Sequence, residues 1–435
     1  MSDTDNLLRI EPQLWMVEPA TLAVLEALSA GGAQARFVGG SVRDALLGQP
    51  TPGSSPRTDI DIATPAPPER VVELLEKRGI KVVPTGLAHG TVTAIAGNPP
   101  RHFEITTLRR DVETYGRRAR VSFDADWAAD AARRDFTINA IFLDPDGTVR
   151  DPVGGVADLR ARRVRFVGDP ATRIAEDVLR ILRYYRFEAR FGAGFGDLQA
   201  RAACRAMAHL LPNLSAERVA QELVKLLETS DPVAALQMMA EDGVLSIILP
   251  EVHRFDRLRH MIAIEPEPDP LRRLAALIEV DGPGAVALAE RLHFSNAWRD
   301  RLHGLAAPWA INPHADVAAQ RRALYGLGAE RYRDIALLLA AQGAMSQDRL
   351  VELLALARAW TPPAFPLAGR DVTALGIPPG PRIGRLLDAS HAWWEAGDFT
   401  ADRAACLVRL KELAKSMANE NEQATDASSR DKNQP

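Results

Sequence analysis

Hydrophobic and polar residues follow two different patterns along the chain, and the pattern changes near residue 150. Before that point, short apolar or alternating runs bounded by Gly, Pro, Asn and Asp predict strands, and amphipathic runs predict helices. We expect helices over residues 18–30, 41–47 and 68–77, and strands over 35–38, 59–63, 81–84, 91–95, 103–108 and 138–143. After a turn at 144–147, the pattern is almost purely helical through residue 415. The sequence therefore predicts an α+β head followed by an all-α remainder.

The chain length of 435 residues is enough for about three domains. Hydrophobic residues make up 46% of the chain and charged residues 25%, a balance that excludes collagen-like and wholly disordered classes. The longest uninterrupted apolar stretch, residues 335–341, is far shorter than the roughly 18 to 20 residues of a membrane helix. Residues 419–435 hold almost no apolar side chains, so we expect a disordered tail.

Cysteine usage and charge limit the compartment and the ligand. Two cysteines, Cys204 and Cys406, cannot form a disulfide framework, and the N-terminus lacks a secretory pattern, so we expect a cytoplasmic protein. The net charge of −4 excludes a uniformly basic nucleic-acid binder. Residues 36–190 nevertheless contain 25 basic and 21 acidic side chains, and the whole chain has 47 Arg against 6 Lys. An arginine-rich, positive first half favours an anionic ligand there.

Two carboxylates stand on one predicted strand, in the run Asp59-Ile60-Asp61-Ile62. Side chains two residues apart on a strand point to the same face, so Asp59 and Asp61 lie on one side and the isoleucines face the core. Such a pair is suited to Mg²⁺, which prefers oxygen ligands and shares them with substrate phosphates. A solvated strand face would show the same pattern, and for this run alone that interpretation is favoured.

The run Gly39-Gly40-Ser41-Val42-Arg43-Asp44 lies at the predicted turn from strand to helix. Glycines let the backbone approach a phosphate, and a helix N-terminus offers free N–H groups, with Arg43 about one turn into the helix. A Gly-Gly turn alone is a weak signal. Followed about twenty residues later by Asp59 and Asp61, it places an anion cradle beside a metal site, which suggests a nucleoside triphosphate.

Further candidates follow along the head. Glu104, on the strand 103–108, alternates with apolar neighbours and would be a third carboxylate at the same site, although a strand-face glutamate without a role fits almost as well. Arg134 and Asp135 come from the run Arg-Arg-Asp-Phe-Thr-Ile-Asn-Ala at residues 133–140. Arg134 would hold a triphosphate and Asp135 a ribose hydroxyl, whereas the alternative is an internal salt bridge between Arg and Asp.

A helix predicted over residues 170–190 contains Asp177 and Arg180, which would share one face because they are three residues apart. An ordinary surface ion pair is the plain interpretation. The functional one is that an accepting Asp and a donating Arg read a base edge, which would accept adenine and cytosine and refuse guanine and uracil. Arg183 continues the stripe by three residues, whereas Arg186 lies about 180° round the helix from Asp177 at 100° per residue.

Taken together, these segments resemble the bacterial (class II) tRNA nucleotidyltransferase and poly(A) polymerase family, the CCA-adding enzymes, within the polymerase-β-like nucleotidyltransferase superfamily. The glycine turn, the two-aspartate strand, the Arg-Arg-Asp segment and the run Glu-Asp-x-x-Arg-x-x-Arg-x-x-Arg-Phe occur in the family's order. Residues 215–218 resemble its next motif, and residues 369–371 and 379–384 resemble its tail segment.

The resemblance implies a polymerase-β-like nucleotidyltransferase head at residues 1–152, followed by an all-α neck at 153–230, body at 231–360 and tail at 361–418, and composition predicts that 419–435 is disordered. It implies that Asp59 and Asp61 bind Mg²⁺ and act in catalysis, and the strand alternation adds Glu104 as a third catalytic candidate. By the resemblance, the nucleotide would be bound by Gly40, Arg43, Arg134, Asp177, Arg180, Arg183 and Arg186. The patterns described above add Gly39 and Asp135 as nucleotide-binding candidates. The partners would be CTP, ATP and the 3′ acceptor end of tRNA, joined by in-line attack of the RNA 3′-hydroxyl on the α-phosphorus.

Other functions share these motifs. A poly(A) polymerase differs mainly in how RNA is presented, and such relatives tend to carry a long basic extension, whereas residues 419–435 hold four acidic and two basic side chains. Enzymes that add only A or only C, and a non-catalytic RNA-binding relative, stay open. Some relatives carry a phosphohydrolase domain marked by a His-Asp pair, and this chain contains no His-Asp dipeptide, so we expect no phosphatase activity.

Overall fold

The architecture is taken from a computed structural model that describes residues 8–48, 60–87, 90–115, 118–123, 126–309 and 311–416. Asp59, the predicted loop at 51–56 and the predicted tail at 419–435 lie outside the described residues. The chain divides into two compact units. The first contains the described residues of Met1–Leu258, Pro266–Glu279 and Ala287–Asn296, and the second those of Arg259–Glu265, Val280–Val286 and Ala297–Pro435.

A seven-stranded mixed sheet forms the head in the first unit. Its strands are β1 (Arg36–Val38), β2 (Ile60–Thr64), β3 (Lys81–Gly86), β4 (Thr91–Ala96), β5 (Arg101–Thr107), β8 (Phe142–Leu143) and β9 (Val149–Arg150), in the spatial order β3-β4-β5-β2-β1-β8-β9. Strands β2 and β5 are parallel, and the other neighbours are antiparallel. Strands β6 (Arg109–Tyr115) and β7 (Arg118–Phe123) form a separate antiparallel pair.

Helices α1 to α5 belong to the head: α1 (Leu14–Val17), α2 (Pro19–Ser29), α3 (Gly40–Leu46), α4 (Pro68–Glu76) and α5 (Trp127–Ala132). From residue 151 the described chain carries helices and no strand. They are α6 (Gly155–Arg160), α7 (Pro170–Glu176), α8 (Arg180–Phe191), α9 (Leu198–Met207), α10 (Ala216–Leu227), α11 (Val233–Glu241), α12 (Leu245–Ile248), α13 (Phe255–Ile264), α14 (Pro270–Leu277), α15 (Gly282–Arg291), α16 (Asn296–Leu305), α17 (Val317–Leu327), α18 (Ala329–Ala341), α19 (Gln347–Ala359), α20 (Gly369–Thr373) and α21 (Pro381–Ala396). Residues 403–416 are also helical. The predicted α+β head with an all-α remainder is confirmed.

An aromatic cluster fixes α8 against the segment that leads to β8. The ring of Phe136 lies 5.0 Å from that of Phe166 and 4.9 Å from that of Phe187, measured between centroids, and Phe166 stacks on Tyr184 at 5.8 Å. All four side chains are buried. Tilted and stacked rings at these distances add to the burial energy, so the orientation of α8 relative to residues 133–140 is well determined.

The second unit has its own apolar core around Trp394. Val372, Leu386, Cys406 and Leu410 are buried beside it, and the indole N–H of Trp394 donates to the carbonyl of Ala401 at 3.0 Å. No helix in the described ranges is long and apolar enough to cross a membrane.

Two sequence predictions about the elements need correction, and one hairpin was missed. The predicted strand 138–143 is a 3₁₀ turn at Thr137–Asn139 followed by the two-residue β8, and β9 follows the turn at 144–147. The hairpin of β6 and β7 was not predicted at all. The single helix expected over 170–190 is two helices, because Asp177 has an extended backbone (φ −152°, ψ 107°) and its side chain accepts the Leu179 N–H at 3.1 Å.

Candidate nucleotidyl-transfer site

A pair of carboxylates stands on neighbouring parallel strands. Asp61 on β2 is in register with Glu104 on β5, so the two side chains project from the same face. The residues beside them, Ile60, Ile62 and Phe103, are buried on the other face. Glu104 is exposed and Asp61 is partly exposed. The parallel register therefore places two carboxylates side by side at an accessible surface. Alternation along each strand gives the face on which each carboxylate lies, but not that the two are neighbours.

The glycine turn after β1 comes very close to this pair. Gly39 has φ 78°, a conformation that favours glycine, and it precedes the first residue of α3. A Cβ atom at Gly39 would lie 2.5 Å from Oδ2 of Asp61. The strand pairing explains this approach, because Phe37 is in register with Ile62 and brings the end of β1 beside Asp61. Only a glycine fits between this turn and the carboxylate.

The donor set fits a hard divalent cation. Asp61 and Glu104 offer carboxylate oxygens on one face, and Asp59, two residues before Asp61, lies outside the described residues. Within the described ranges no group of three or more His, Cys, Asp or Glu side chains is placed to hold a metal ion. The chemistry of the two described carboxylates matches the oxygen ligands that Mg²⁺ prefers.

Arg43 does not extend into solvent from α3. It is 6% exposed, its Nη1 donates to Oδ1 of Asn139 at 2.8 Å, and its Nε and Nη2 donate to Asp44 at 3.1 and 3.0 Å. The guanidinium also lies 3.9 Å from the ring centroid of Phe191. Burial lowers the pKa of Arg43, and its pairing with Asp44 acts in the opposite direction. Arg43 therefore joins α3 to the 3₁₀ turn and to α8.

From Asn139, hydrogen bonds continue to α8. Asn139 donates to Oδ1 of Asp135 at 3.0 Å, and the Nε and Nη2 atoms of Arg183 donate to Oδ2 of Asp135 at 2.9 and 2.5 Å. Burial would raise the pKa of Asp135, but Arg183 and the donors Asn139 and Phe136 outweigh it and lower the pKa to about 2. Asp135 is thus a carboxylate acceptor fixed on several sides.

Arg186 is held on the same side of the unit by Glu222 of α10. Its Nε donates to Oε2 of Glu222 at 2.5 Å, and Nη1 of Arg183 lies 3.9 Å from Oε1 of the same carboxylate. Glu222 is 4% exposed. Two of the predicted nucleotide-binding arginines therefore share one buried partner.

Arg134 and Asp135 do not pair with each other; each forms a salt bridge to a partner outside the run 133–140. Both Arg133 and Arg134 bind Asp130 of α5, which is fully buried. The Nε and Nη2 atoms of Arg134 approach Oδ2 at 3.2 and 2.9 Å, and those of Arg133 approach Oδ1 at 2.8 and 2.5 Å. Asp135 and Arg134 thus have separate partners, although they are neighbours in sequence.

Asp177 and Arg180 also bind different partners. The prediction that they share one helix face is therefore wrong. Oδ2 of Asp177 accepts Nη2 of Arg218 at 2.7 Å. Nη1 of Arg180 donates to the carbonyl of Arg173 at 2.8 Å and binds Glu176. The break between α7 and α8 is the reason, since the spacing of three residues places side chains together only within one continuous helix.

Four residues of this region were missed as site residues: Asn139, Glu222, Arg218 and Asp130. Asn139 and Arg218 lie inside runs that the sequence singled out, so their position in those runs was an available signal. Glu222 and Asp130 carry no signal in one sequence, because their importance comes from arginines on other segments that reach them only in the folded chain.

Residues 35–165 match the family described as Poly A polymerase head domain, and residues 197–256 match the probable RNA and SrmB-binding site of polymerase A. The mitochondrial CCA tRNA nucleotidyltransferase 1 of Danio rerio is 33% identical over 393 residues, 87% of each chain. The CCA-adding enzyme of Anoxybacillus flavithermus is 39% identical over 53% of this chain and 55% of its own.

A solved structure agrees with these relatives along nearly the whole chain. The CCA-adding enzyme of Bacillus stearothermophilus in complex with CTP superposes with a TM-score of 0.73 at 27% identity, covering 93% of this chain and 100% of that one. The chain belongs to the family of CCA tRNA nucleotidyltransferases, or CCA-adding enzymes. Its members are enzymes, and the family uses a divalent metal.

Proposed function

We propose that this protein adds C and A residues from CTP and ATP to the 3′ end of tRNA by Mg²⁺-dependent nucleotidyl transfer. The observation that carries the proposal is the register of Asp61 with Glu104, directly beside the Gly39 turn, in a chain of this family. A carboxylate pair next to a close-approaching backbone turn is what a site for a metal-bound triphosphate requires.

The head would bind the reacting end of the nucleotide. Asp59 and Asp61 would hold Mg²⁺ with Glu104 beside them, and the ion would supply charge neutralisation at the phosphates. Gly39 and Gly40 would let the triphosphate approach the backbone. In the reaction, a bond forms from the RNA 3′-oxygen to the α-phosphorus as the bond to the β-phosphate oxygen breaks, and pyrophosphate leaves.

Two arginines would contribute to triphosphate binding in different ways. Arg134 keeps 17% of its side chain exposed and extends from the buried Asp130, so it would contact phosphate directly. Arg43 uses its donors on Asp44 and Asn139, so it would hold the glycine turn in place against the 3₁₀ turn. This division supports both residues as part of the triphosphate site.

The segment from Asp177 to Arg186 would select the base. An ionised Asp accepts from the exocyclic amino group of adenine or cytosine, and an Arg donates to the neighbouring ring nitrogen. Asp177 and Arg180 would serve in this way while keeping their present partners, Arg218 and Glu176, which orient them. Asp135 would accept a ribose hydroxyl, and Arg183 and Arg186 would border the nucleotide from positions fixed by Asp135 and Glu222.

The experiment is extension of tRNA transcripts that lack one, two or three 3′ nucleotides, with Mg²⁺ and each labelled nucleotide alone or together. We expect growth that stops at C-C-A. Long A ladders on tRNA and generic RNA alike would identify a poly(A) polymerase. This alternative is considered because the head matches the family described as Poly A polymerase head domain. The absence of any extension would leave the non-catalytic RNA-binding alternative.

Two variants separate chemistry from RNA binding in that assay. Asp59→Ala and Asp61→Asn should abolish incorporation and leave tRNA binding within about twofold of wild type, because neither carboxylate would contact the body of the RNA. Glu69→Gln on α4 changes an exposed carboxylate outside the site and should retain full activity. Turnover by both aspartate variants would remove them from the metal site.

We also propose that the reaction takes place in the cytoplasm. Cys204 and Cys406 are both free and buried, as expected of a chain kept in a reducing compartment. A fluorescent fusion expressed in the source cell would test this location.

A further inference from the structure

Asp130 is the most heavily used carboxylate beside the proposed triphosphate site. It is fully buried on α5 and accepts four N–H groups from Arg133 and Arg134. The backbone N–H of Arg109 adds a fifth donor at 3.4 Å. Burial raises the pKa of Asp130, but the two guanidinium groups outweigh it, so the pKa is lowered and the carboxylate stays ionised. Its side chain is too deeply buried to contact a nucleotide itself.

The guanidinium of Arg134 has one side on Asp130 and the other available. Nε and Nη2 face the carboxylate, which fixes the plane of the group, and Nη1 is not used in that contact. The group lies 5.4 Å from the ring centroid of Phe142, and Phe142 on β8 is in register with Val38, the residue before Gly39. The geometry places Arg134 close to the end of β1, where the glycine turn begins.

The charges around Asp130 do not cancel. One carboxylate neutralises one of the two guanidinium groups, so Asp130, Arg133 and Arg134 together carry one positive charge. Two like charges held this close repel each other, and the shared carboxylate is what keeps both arginines in place. A guanidinium fixed in this way loses less freedom when it binds an anion than a free one would.

We propose that Asp130 is a positioning residue for the triphosphate of the incoming nucleotide, acting through Arg134. The inference rests on the proposed function, because it takes Arg134 as the phosphate contact. Its action is on the phosphates alone, so it affects CTP and ATP equally and leaves the choice of base unchanged.

Asp130→Asn makes the test decisive because charge and position predict opposite results. The substitution removes a negative charge next to an anion site, so electrostatics alone would tighten triphosphate binding. Loss of position would weaken it, because the amide of Asn offers one acceptor where the carboxylate holds two guanidinium groups. The probe is inorganic tripolyphosphate, titrated calorimetrically into the full chain without RNA, so that the measurement does not depend on turnover.

We expect the Kd of tripolyphosphate to rise about tenfold in Asp130→Asn. In extension assays, KM for CTP and for ATP should rise by the same factor, with a smaller change in kcat and an unchanged preference for CTP over UTP. Arg134→Lys keeps the positive charge but loses the planar guanidinium that binds Asp130 through two N–H groups. It should raise the Kd of tripolyphosphate to the same extent. The double variant should be no worse than either single one, which indicates a shared path of action.

A matched control is Asp242, another buried carboxylate that binds two arginines, Arg201 and Arg205, in the same unit. Asp242→Asn should destabilise the fold to a similar degree and leave the Kd of tripolyphosphate unchanged.

If Asp130→Asn does not yield folded protein, Asp130→Glu, which moves the charge by one methylene, should raise the same Kd. A Kd equal to or lower than that of wild type in either folded variant overturns the inference, even when wild-type tRNA extension proceeds normally. Failure of wild-type extension would instead contradict the proposed function.

Discussion

The carboxylate of Asp177 is bound to Arg218 of α10 at 2.7 Å and not to Arg180, its neighbour three residues along. Oδ1 of Asp177 accepts the Leu179 N–H, and Oδ2 accepts the guanidinium. Both carboxylate oxygens of Asp177 are therefore oriented by residues other than Arg180, its predicted partner. Through this single contact, Arg218 joins the proposed base site.

Arg218→Gln should impair base selection. Loss of a charge-assisted hydrogen bond releases the carboxylate of Asp177, so we expect kcat/KM for CTP and ATP to fall about tenfold. Discrimination against UTP and GTP should fall with it. Single-nucleotide incorporation on a tRNA lacking its last three nucleotides measures both. Arg205→Gln removes another arginine that binds an aspartate, Asp242, and should leave selectivity unaffected.

Gly39→Ala should inactivate the enzyme with little loss of folded protein. The added Cβ would lie 2.5 Å from Oδ2 of Asp61, so the turn or the carboxylate must move, and displacements near 1 Å cost about a hundredfold in rate. Gly79→Ala is the matched control, since Gly79 has φ 70° and open space around its Cβ position. Extension rates and thermal melts of both variants give the comparison. Equal activity in the two variants would contradict a role for the close approach.

Glu104→Gln should weaken metal binding rather than nucleotide selection. Loss of one carboxylate next to Asp61 removes negative charge from the proposed cation site, so half-maximal activity should require several-fold more Mg²⁺. Direct binding of Mn²⁺, followed by water proton relaxation, should weaken in parallel. Glu76→Gln on α4, an exposed position, serves as the control. If the Mg²⁺ concentration for half-maximal activity is unchanged, Glu104 has no role in metal binding and is an ordinary glutamate on the strand surface.

Glu188 should make stability depend on pH. Burial raises its pKa from an ordinary value near 4.5 to about 7. Between these two values the folded chain binds a proton that the unfolded chain has released, so the free energy of unfolding falls as pH rises from about 4.5 to 7, by up to about 3 kcal/mol. Glu188→Gln cannot ionise and should remove this dependence. Denaturant unfolding of both proteins at pH 5, 6, 7 and 8 measures the difference, and parallel curves would show that Glu188 does not titrate in this range.

Many of the head's elements, although not the hairpin of β6 and β7, followed from local sequence. Alternation placed Asp61 on one face of a strand and Ile60 and Ile62 on the other, and glycines marked the turn after β1, because strand geometry and glycine conformation depend on residues close in sequence. The change from mixed to helical structure near residue 150 was predicted for the same reason.

Contacts between distant segments were decided only by the tertiary structure. The register that brings Glu104 beside Asp61 joins residues 43 positions apart, and Asp130 and Glu222 gain their roles from arginines on other elements. The break at Asp177 also escaped the helical pattern, because the side chain of Asp177 bonds to the chain that follows it and to Arg218 on α10. Sequence periodicity reports which face a residue occupies, whereas the partner on that face depends on how the whole chain packs.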